Sequence, residues 1–334
     1  MSGEASGSEP AKQIRVMKGW RRPSGVAQVR LPTRVGDVTF ANPIMVASGV
    51  AGHGTELASY VDMASLGAIV VKSLSSFEWK GNAAPRLHPV TAGMMNAVGL
   101  QGPGIIRWKA KELPDLLATG AKIVVSIWGR SLEEYAEAAA MLADLPEQVV
   151  AIEVNLSCPN LKGKGMFAQS ADMAAEAIAI TAVCNRPRWA KLTAAVTDLV
   201  AIATSVRDAG AAAVTLINTV PGLALNIETR RPQLGNGPGG LSGPAIHPVA
   251  VKAIWDVHAA LPNLPIVGVG GVANAHDVVE LMLAGACAVQ IGTAVFASPK
   301  LPGIIMRDFA TWCNQHHVTS VDQLVGAAHE PVGR

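Results

Sequence analysis

Eight short runs of apolar, largely β-branched residues recur along this chain of 334 residues, and their number constrains the fold more than any other feature. They fall at Ile44–Ser48, Ala68–Lys72, Lys122–Ile127, Val149–Asn155, Trp189–Thr193, Ala213–Asn218, Pro265–Gly270 and Ala288–Gly292. Helical segments separate them, among them Leu132–Leu142, Ala171–Val183, Leu199–Ala209, Pro248–Ala260 and Ala275–Leu283, so the pattern is one of βα units feeding a parallel sheet. The last of these helices opens at Asn274, an N-cap residue type, and ends near Gly285. Eight units are what a closed (β/α)8 TIM barrel of the α/β class requires. A doubly wound open sheet is the rival architecture, and it needs fewer strands. Ahead of the first run, Val29–Leu31 and Val38–Phe40 flank Arg34-Val35-Gly36-Asp37, which predicts a small N-terminal β-hairpin closing the barrel floor.

Such a barrel commonly uses about 250 residues as one unit, so residues 29–334 are expected to form a single domain. Residues 1–28 begin Ser-, Gly- and Glu-rich, continue through scattered basic residues such as Lys12 and Arg21, and are expected to form a disordered tail. A membrane-surface helix is the alternative there. The segment has no apolar run of the kind a signal peptide or membrane span needs. With half of its residues hydrophobic and 16% charged, the chain has ample material for a large core. A formal net charge of +2 and no long basic block leave no electrostatic footprint for nucleic acid. Cys158, Cys184, Cys287 and Cys313 are too far apart for a CxxC metal or redox motif, which points to a reducing cytoplasm and to no bound metal.

In a barrel, chemistry is placed at the C-terminal ends of the strands and in the loops that follow them. This chain has a polar residue at nearly every such exit: Ser48, Lys72, Ser126, Asn155, Lys191 and Asn218-Thr219, with Asn96 inside the first of two long insertions, Ser73–Pro103 and Val220–Pro244. One polar strand end is commonly a satisfied cap; a ring of them around one mouth is hard to explain by packing. The fourth run leads into Glu153-Val154-Asn155-Leu156-Ser157-Cys158-Pro159-Asn160 and the basic, Gly-containing Lys162-Gly163-Lys164-Gly165, which reads as a catalytic loop. Three glycine-rich turns, Gly239-Gly240-Leu241-Ser242-Gly243, Gly268-Val269-Gly270-Gly271 and Gly292-Thr293, follow the sixth, seventh and eighth strands, where bare backbone amides form a phosphate cradle.

Residue type narrows the chemistry. Asn amides offer a donor and an acceptor side by side, which suits a ring alternating N–H and C=O as a pyrimidine does. Lys72 offers positive charge to a carboxylate or to an electron-rich flavin. An accessible thiolate at Cys158 can take a carbon-bound proton. Cys184, Cys287 and Cys313 lack polar neighbours and read as inert buried thiols. Strand alternation turns Glu153 to the same side as Asn155, where a buried carboxylate needs a partner such as Lys191. His316 and His317 read as solvated.

These residues make the chain resemble the dihydroorotate dehydrogenases, specifically the soluble class 1 group and its NAD-linked 1B branch, from about Val35 to Val325. The resemblance rests on Asn42-Pro43 with Ala47-Ser48-Gly49, Lys72, Gly81-Asn82 with Pro85-Arg86, Asn96-Ala97-Val98-Gly99-Leu100, Asn155-Leu156-Ser157-Cys158-Pro159-Asn160, Ile217-Asn218-Thr219 and Gly240-Leu241-Ser242-Gly243-Pro244-Ala245-Ile246. It implies an FMN-holding barrel in which Cys158 removes a proton from C5 of dihydroorotate while hydride leaves C6 for the flavin, yielding orotate in pyrimidine biosynthesis. Carried over residue by residue, it implies that Lys72, Asn96, Ala97, Val98, Gly99, Leu100, Asn155, Asn160, Asn218 and Thr219 hold the substrate. Ser48, Lys72, Ser73, Ser126, Asn155, Lys191, Ile217, Gly243, Gly270, Gly271, Gly292 and Thr293 would hold FMN, with Lys191 near the edge of the ring where negative charge gathers. It further implies a homodimer or heterotetramer and an electron-transfer subunit carrying FAD and an iron–sulfur cluster. Departures are Gly102 and Ser126, each where the family has Asn, and Lys191-Leu192-Thr193-Ala194-Ala195 in place of a Lys-Leu-Ser-Pro-Asn run. The last is similar to dihydropyrimidine dehydrogenase, which makes a uracil-type ring the alternative substrate. A lyase using Lys72 or Lys191 as a Schiff-base nucleophile and a barrel that only binds a phosphorylated ligand are the readings from other classes.

Overall fold

The eight runs become eight parallel strands that close on themselves: β1 Ile44–Val46, β2 Ala68–Val70, β3 Ile123–Ile127, β4 Val149–Asn155, β5 Arg188–Leu192, β6 Ala213–Leu216, β7 Ile266–Val269 and β8 Ala288–Ile291. This computed structural model describes residues 29–157 and 166–329. The ring shuts between β8 and β1, where Val289 pairs with Ile44 and Ile291 with Val46, so no strand edge is left and an open doubly wound sheet is excluded. Most strands stop one or two residues short of the apolar run, because Ser48, Lys72 and Asn218 have already turned into the loops over the mouth.

The expected helices are present at Leu132–Ala140, Ala171–Ile180, Leu199–Asp208, His247–Ala260 and Ala275–Ala284. Asn274 caps the last: its side chain accepts from the N–H of His276 and of Asp277, while the Asp277 carboxylate accepts from the Asn274 N–H. Helices Ile105–Lys111, Leu113–Ala118 and Leu301–Gln315 add to these. The longest buries Ile305, Phe309 and Cys313.

Inside the barrel, Met45, Val70, Val124, Ala151, Trp189, Ala213 and Val267 pack against Val35 and Phe40 of the N-terminal hairpin. Phe40 meets Trp189 edge-on at 6.0 Å, so the hairpin plugs the floor. Its arms are Thr33–Val35 and Val38–Phe40, not Val29–Leu31 and Val38–Phe40. Val35 pairs directly with Val38, so a tight turn at Gly36 (φ 59°) and Asp37 sets the register and the first arm must end at Val35. The backbone of Arg30 instead donates to the Thr319 carbonyl.

The two insertions are more than loops. They pair with one another in a four-stranded antiparallel sheet, in the order Leu87–Val90, Gly93–Asn96, Gly239–Ser242 and Val220–Gly222, laid across the mouth. Asn96 pairs with Gly240 and Met94 with Ser242. A Cβ on Gly239 would stand 2.4 Å from the Asn96 carbonyl oxygen, so only glycine lets these strands approach.

Candidate active site

The C-terminal strand ends and the covering sheet enclose about 1160 Å³ of space, the open mouth included. From β1 to β8 its wall takes in Ser48, Lys72, Ser73, Asn155, Lys191, Ile217, Asn218, Thr219, Gly270, Gly271, Gly292 and Thr293, and the insertions add Asn96, Val98, Leu100 and Gly243. Three residues singled out in the sequence stand behind the wall. Ala97 is fully buried and its carbonyl accepts from Asn82 Nδ2 (3.1 Å); the Gly99 carbonyl accepts from Trp79 Nε1 (2.9 Å). Both shape the loop that presents Val98 and Leu100. Ser126 is fully buried and reaches the cavity through Ser73, whose Oγ lies 2.8 Å from its own. Cys158 and Asn160 lie outside the described residues.

One end of the cavity is a chain of hydroxyls and amides. Ser73 Oγ lies 3.5 Å from Ser48 Oγ and accepts from Asn155 Nδ2 (3.2 Å). Asn218 Nδ2 donates to Asn155 Oδ1 (3.3 Å) and to the carbonyl of Ser157 (2.9 Å), and Ser157 Oγ donates to the Lys191 carbonyl (3.1 Å). Tyr135 Oη donates to the Asn155 carbonyl at 2.7 Å, tying the end of β4 to the helix outside it. Each amide is therefore oriented before any ligand arrives.

Below this chain lies a buried ion pair. Asn155 sits beside Lys191 in the β4–β5 register, and Glu153, two residues earlier, points into the same interior. Lys191 Nζ reaches Glu153 Oε1 at 3.4 Å, and Gln290 Nε2 on β8 donates to Glu153 Oε2 at 3.0 Å. Glu153 is wholly buried and Lys191 nearly so. A carboxylate in such a place is tolerable only with a cation and further donors, which it has.

The opposite end, at β7, β8 and the close of the second insertion, is bare backbone. Among the described residues, the N–H groups of Gly243, Gly271, Gly292 and Thr293 donate to nothing in the protein. Unpaired amides gathered on one wall are acceptor-seeking, and an anion is the acceptor that satisfies several at once.

Two histidines beside the cavity went unread in the sequence. His53 packs against Gly102, where an added Cβ would lie 3.4 Å from its Nε2, a buried atom with no partner among the described residues. Burial, and then the charge of Lys72, lower its pKa to about 4. His247 stands behind the Gly270-Gly271 turn. Nothing local distinguishes either residue, because the groups that define them come from distant segments. The thiols of Cys287 and Cys313 are pushed by burial up to about 12 and about 11, and that of Cys184 is raised by the same cause, which makes all three inert. His316 lies exposed with its ring stacked on Trp312.

The family model of dihydroorotate dehydrogenase matches residues 30–311. The chain belongs to that family. A relative from Geobacter sp. (strain M21), described as dihydroorotate dehydrogenase B (NAD(+)), catalytic subunit, is 43% identical over 295 residues, 88% of this chain and 96% of the relative. One of the same description from Desulforudis audaxviator (strain MP104C) is 41% identical over 308 residues, 92% of this chain and all of the relative. The match takes in the whole barrel, the covering sheet and the glycine-lined wall.

Proposed function

We propose that this protein oxidises (S)-dihydroorotate to orotate, with FMN held in the cavity and Cys158 as the base. The observation that carries the reading is the division of one cavity into a wall of unpaired backbone amides and a wall of fixed carboxamides and lysines. The first fits a phosphate: Gly243, Gly271, Gly292 and Thr293 offer four N–H donors that nothing in the described protein uses. The second fits a polar ring and a carboxylate. FMN bound there supplies the acceptor for the hydride that leaves C6.

The residues of the chain do the rest. Lys191, held by Glu153, keeps a positive charge at the buried end of the cavity, where electron density accumulates during the reaction. Lys72 and the amides of Asn96, Asn155 and Asn218 orient the dihydropyrimidine and its carboxylate, with Asn160 completing the set. Val98, Leu100 and the covering sheet exclude water from the reacting face. Cys158, following Ser157 out of β4, accepts the C5 proton at its sulfur. Residues 29–334 form one domain in this reading. Because the relatives are described as catalytic subunits of an NAD(+) enzyme, we assign electron exit to a second subunit carrying FAD and an iron–sulfur cluster, in a heteromeric cytoplasmic assembly. No helix among the described residues is long and apolar enough to cross a membrane.

The test is optical. Purified protein should be yellow, and dihydroorotate added without oxygen should bleach it while dihydrouracil does not. Bleaching by dihydrouracil alone would move the assignment to a uracil-type ring, and a colourless protein that takes up no FMN would sink it.

A further inference from the structure

His247 is the first residue of the helix His247–Ala260, entered from the short turn Pro244–Ile246. Its ring is buried and lies outside the cavity wall, behind the turn between β7 and the helix Ala275–Ala284. Nδ1 is 2.8 Å from the Gly270 carbonyl oxygen, and Nε2 is 3.1 Å from Glu280 Oε2 on that helix. A carbonyl and a carboxylate can only accept, so Nδ1 donates to Gly270, and the contact to Glu280 is a hydrogen bond when Nε2 carries a proton as well.

The consequence lies on the other side of the peptide. Across the trans Gly270–Gly271 bond the C=O and N–H point in opposite directions, so a carbonyl turned back to His247 turns the Gly271 N–H away from it, toward the cavity that both glycines line. With glycine on both sides (φ 145° and 71°), little steric resistance opposes rotation of this peptide unit. A rotated unit would present its carbonyl oxygen to an anion and repel it. A Cβ on Gly271 would stand 2.6 Å from the His247 Cβ, so only glycine lets the turn come this close to the histidine.

We propose that His247 is a positioning residue for the phosphate of the bound flavin: it latches the Gly270 carbonyl and so presents the Gly271 N–H to the anion, while Glu280 fixes the ring. The inference rests on the flavin reading above, and it concerns only the phosphate end. Riboflavin, which has the same ring system and no phosphate, therefore separates the two.

The experiment measures the affinity of flavin-free protein for FMN and for riboflavin by quenching of flavin fluorescence. In His247→Gln the donor moves to the Nε2 position and the latch is lost; FMN affinity should fall about tenfold, as expected for one hydrogen bond to a charged group, with riboflavin affinity unchanged. In His247→Asn the side-chain nitrogen occupies the Nδ1 position, and FMN affinity should stay within about threefold of wild type. Glu280→Gln, at an exposed carboxylate where folding is not at risk, should weaken FMN about twofold to threefold and leave riboflavin alone. Unchanged FMN affinity in His247→Gln, equal losses in the Asn and Gln variants, or parallel losses of FMN and riboflavin would each overturn the latch. A wild-type protein that binds neither flavin would overturn the flavin reading and the latch with it.

Discussion

The floor and the mouth of this barrel are built from the same strands by opposite rules. At the floor, Phe40, Trp189, Met45 and Val35 fill the interior with largely apolar side chains packed on one another. A few residues further along the same strands, Glu153, Lys191, Gln290, Asn155 and Ser126 are buried polar groups, with bare glycine amides across from them. The floor gains from burial directly, about 25 cal/mol per Å² of apolar surface. The mouth gives up that gain to keep dipoles and charges aimed at a space. Stability should therefore be concentrated at one end and activity at the other, and substitutions can break or sharpen that division.

The largest expected effect is at the mouth. Cys158→Ala removes the proposed base, and turnover should fall by about 10² to 10⁴, with the melting temperature and bound flavin unchanged. Full activity would remove Cys158 from the mechanism. The converse experiment is Phe40→Ala, which opens a hole at the floor and should lower stability by about 3–5 kcal/mol, measured by urea unfolding. Turnover per folded molecule should stay at the wild-type value; a loss as large as that of Cys158→Ala would mean that the floor and mouth are coupled.

Between these extremes lies Glu153, where the division should blur. Glu153→Gln leaves Lys191 buried without a carboxylate and should cost about 3–5 kcal/mol of stability. Turnover also reports the role of the pair: a carboxylate that only anchors Lys191 leaves the pH profile in place, whereas a proton relay through Glu153 predicts its displacement. An unfolding free energy equal to wild type would show that the pair contributes nothing net to the fold.

The same contrast governs what could be read from the sequence. The strands were legible because each is a local apolar run, and Glu153 with Lys191 was legible because strand alternation aims a charge inward where it needs a partner. The covering sheet was not, since Asn96 and Gly240, 144 residues apart, pair only once the barrel has brought the insertions together. The hairpin was placed with its first arm too early, because Val29 and Leu31 look as strand-like as Thr33 and Val35 and only the pairing across Gly36 decides. His247 and His53 carry no local pattern at all; a carbonyl after β7 defines the first, and Lys72 with Gly102 the second.

His53 gives the smallest predicted effect and the clearest sign. Its pKa is lowered to about 4 by burial and by Lys72, against 6.5 for a free ring. Above pH 6.5 the ring is neutral in both folded and unfolded chains, so it contributes no pH dependence. As pH falls from 6.5 to 4 the unfolded chain takes up a proton that the folded one refuses, and stability is lost across that window. At about 1.4 kcal/mol per tenfold in proton affinity the ceiling is about 3 kcal/mol. Water reaching part of the ring lowers the expectation to about 1–2 kcal/mol. Thermal melts of wild type and His53→Gln across this range should diverge above pH 4 and run parallel above pH 6.5, the variant showing the flatter slope. Equal slopes would mean that the ring is protonated in the folded protein, beside Lys72, and that the mouth tolerates more charge than its geometry implies.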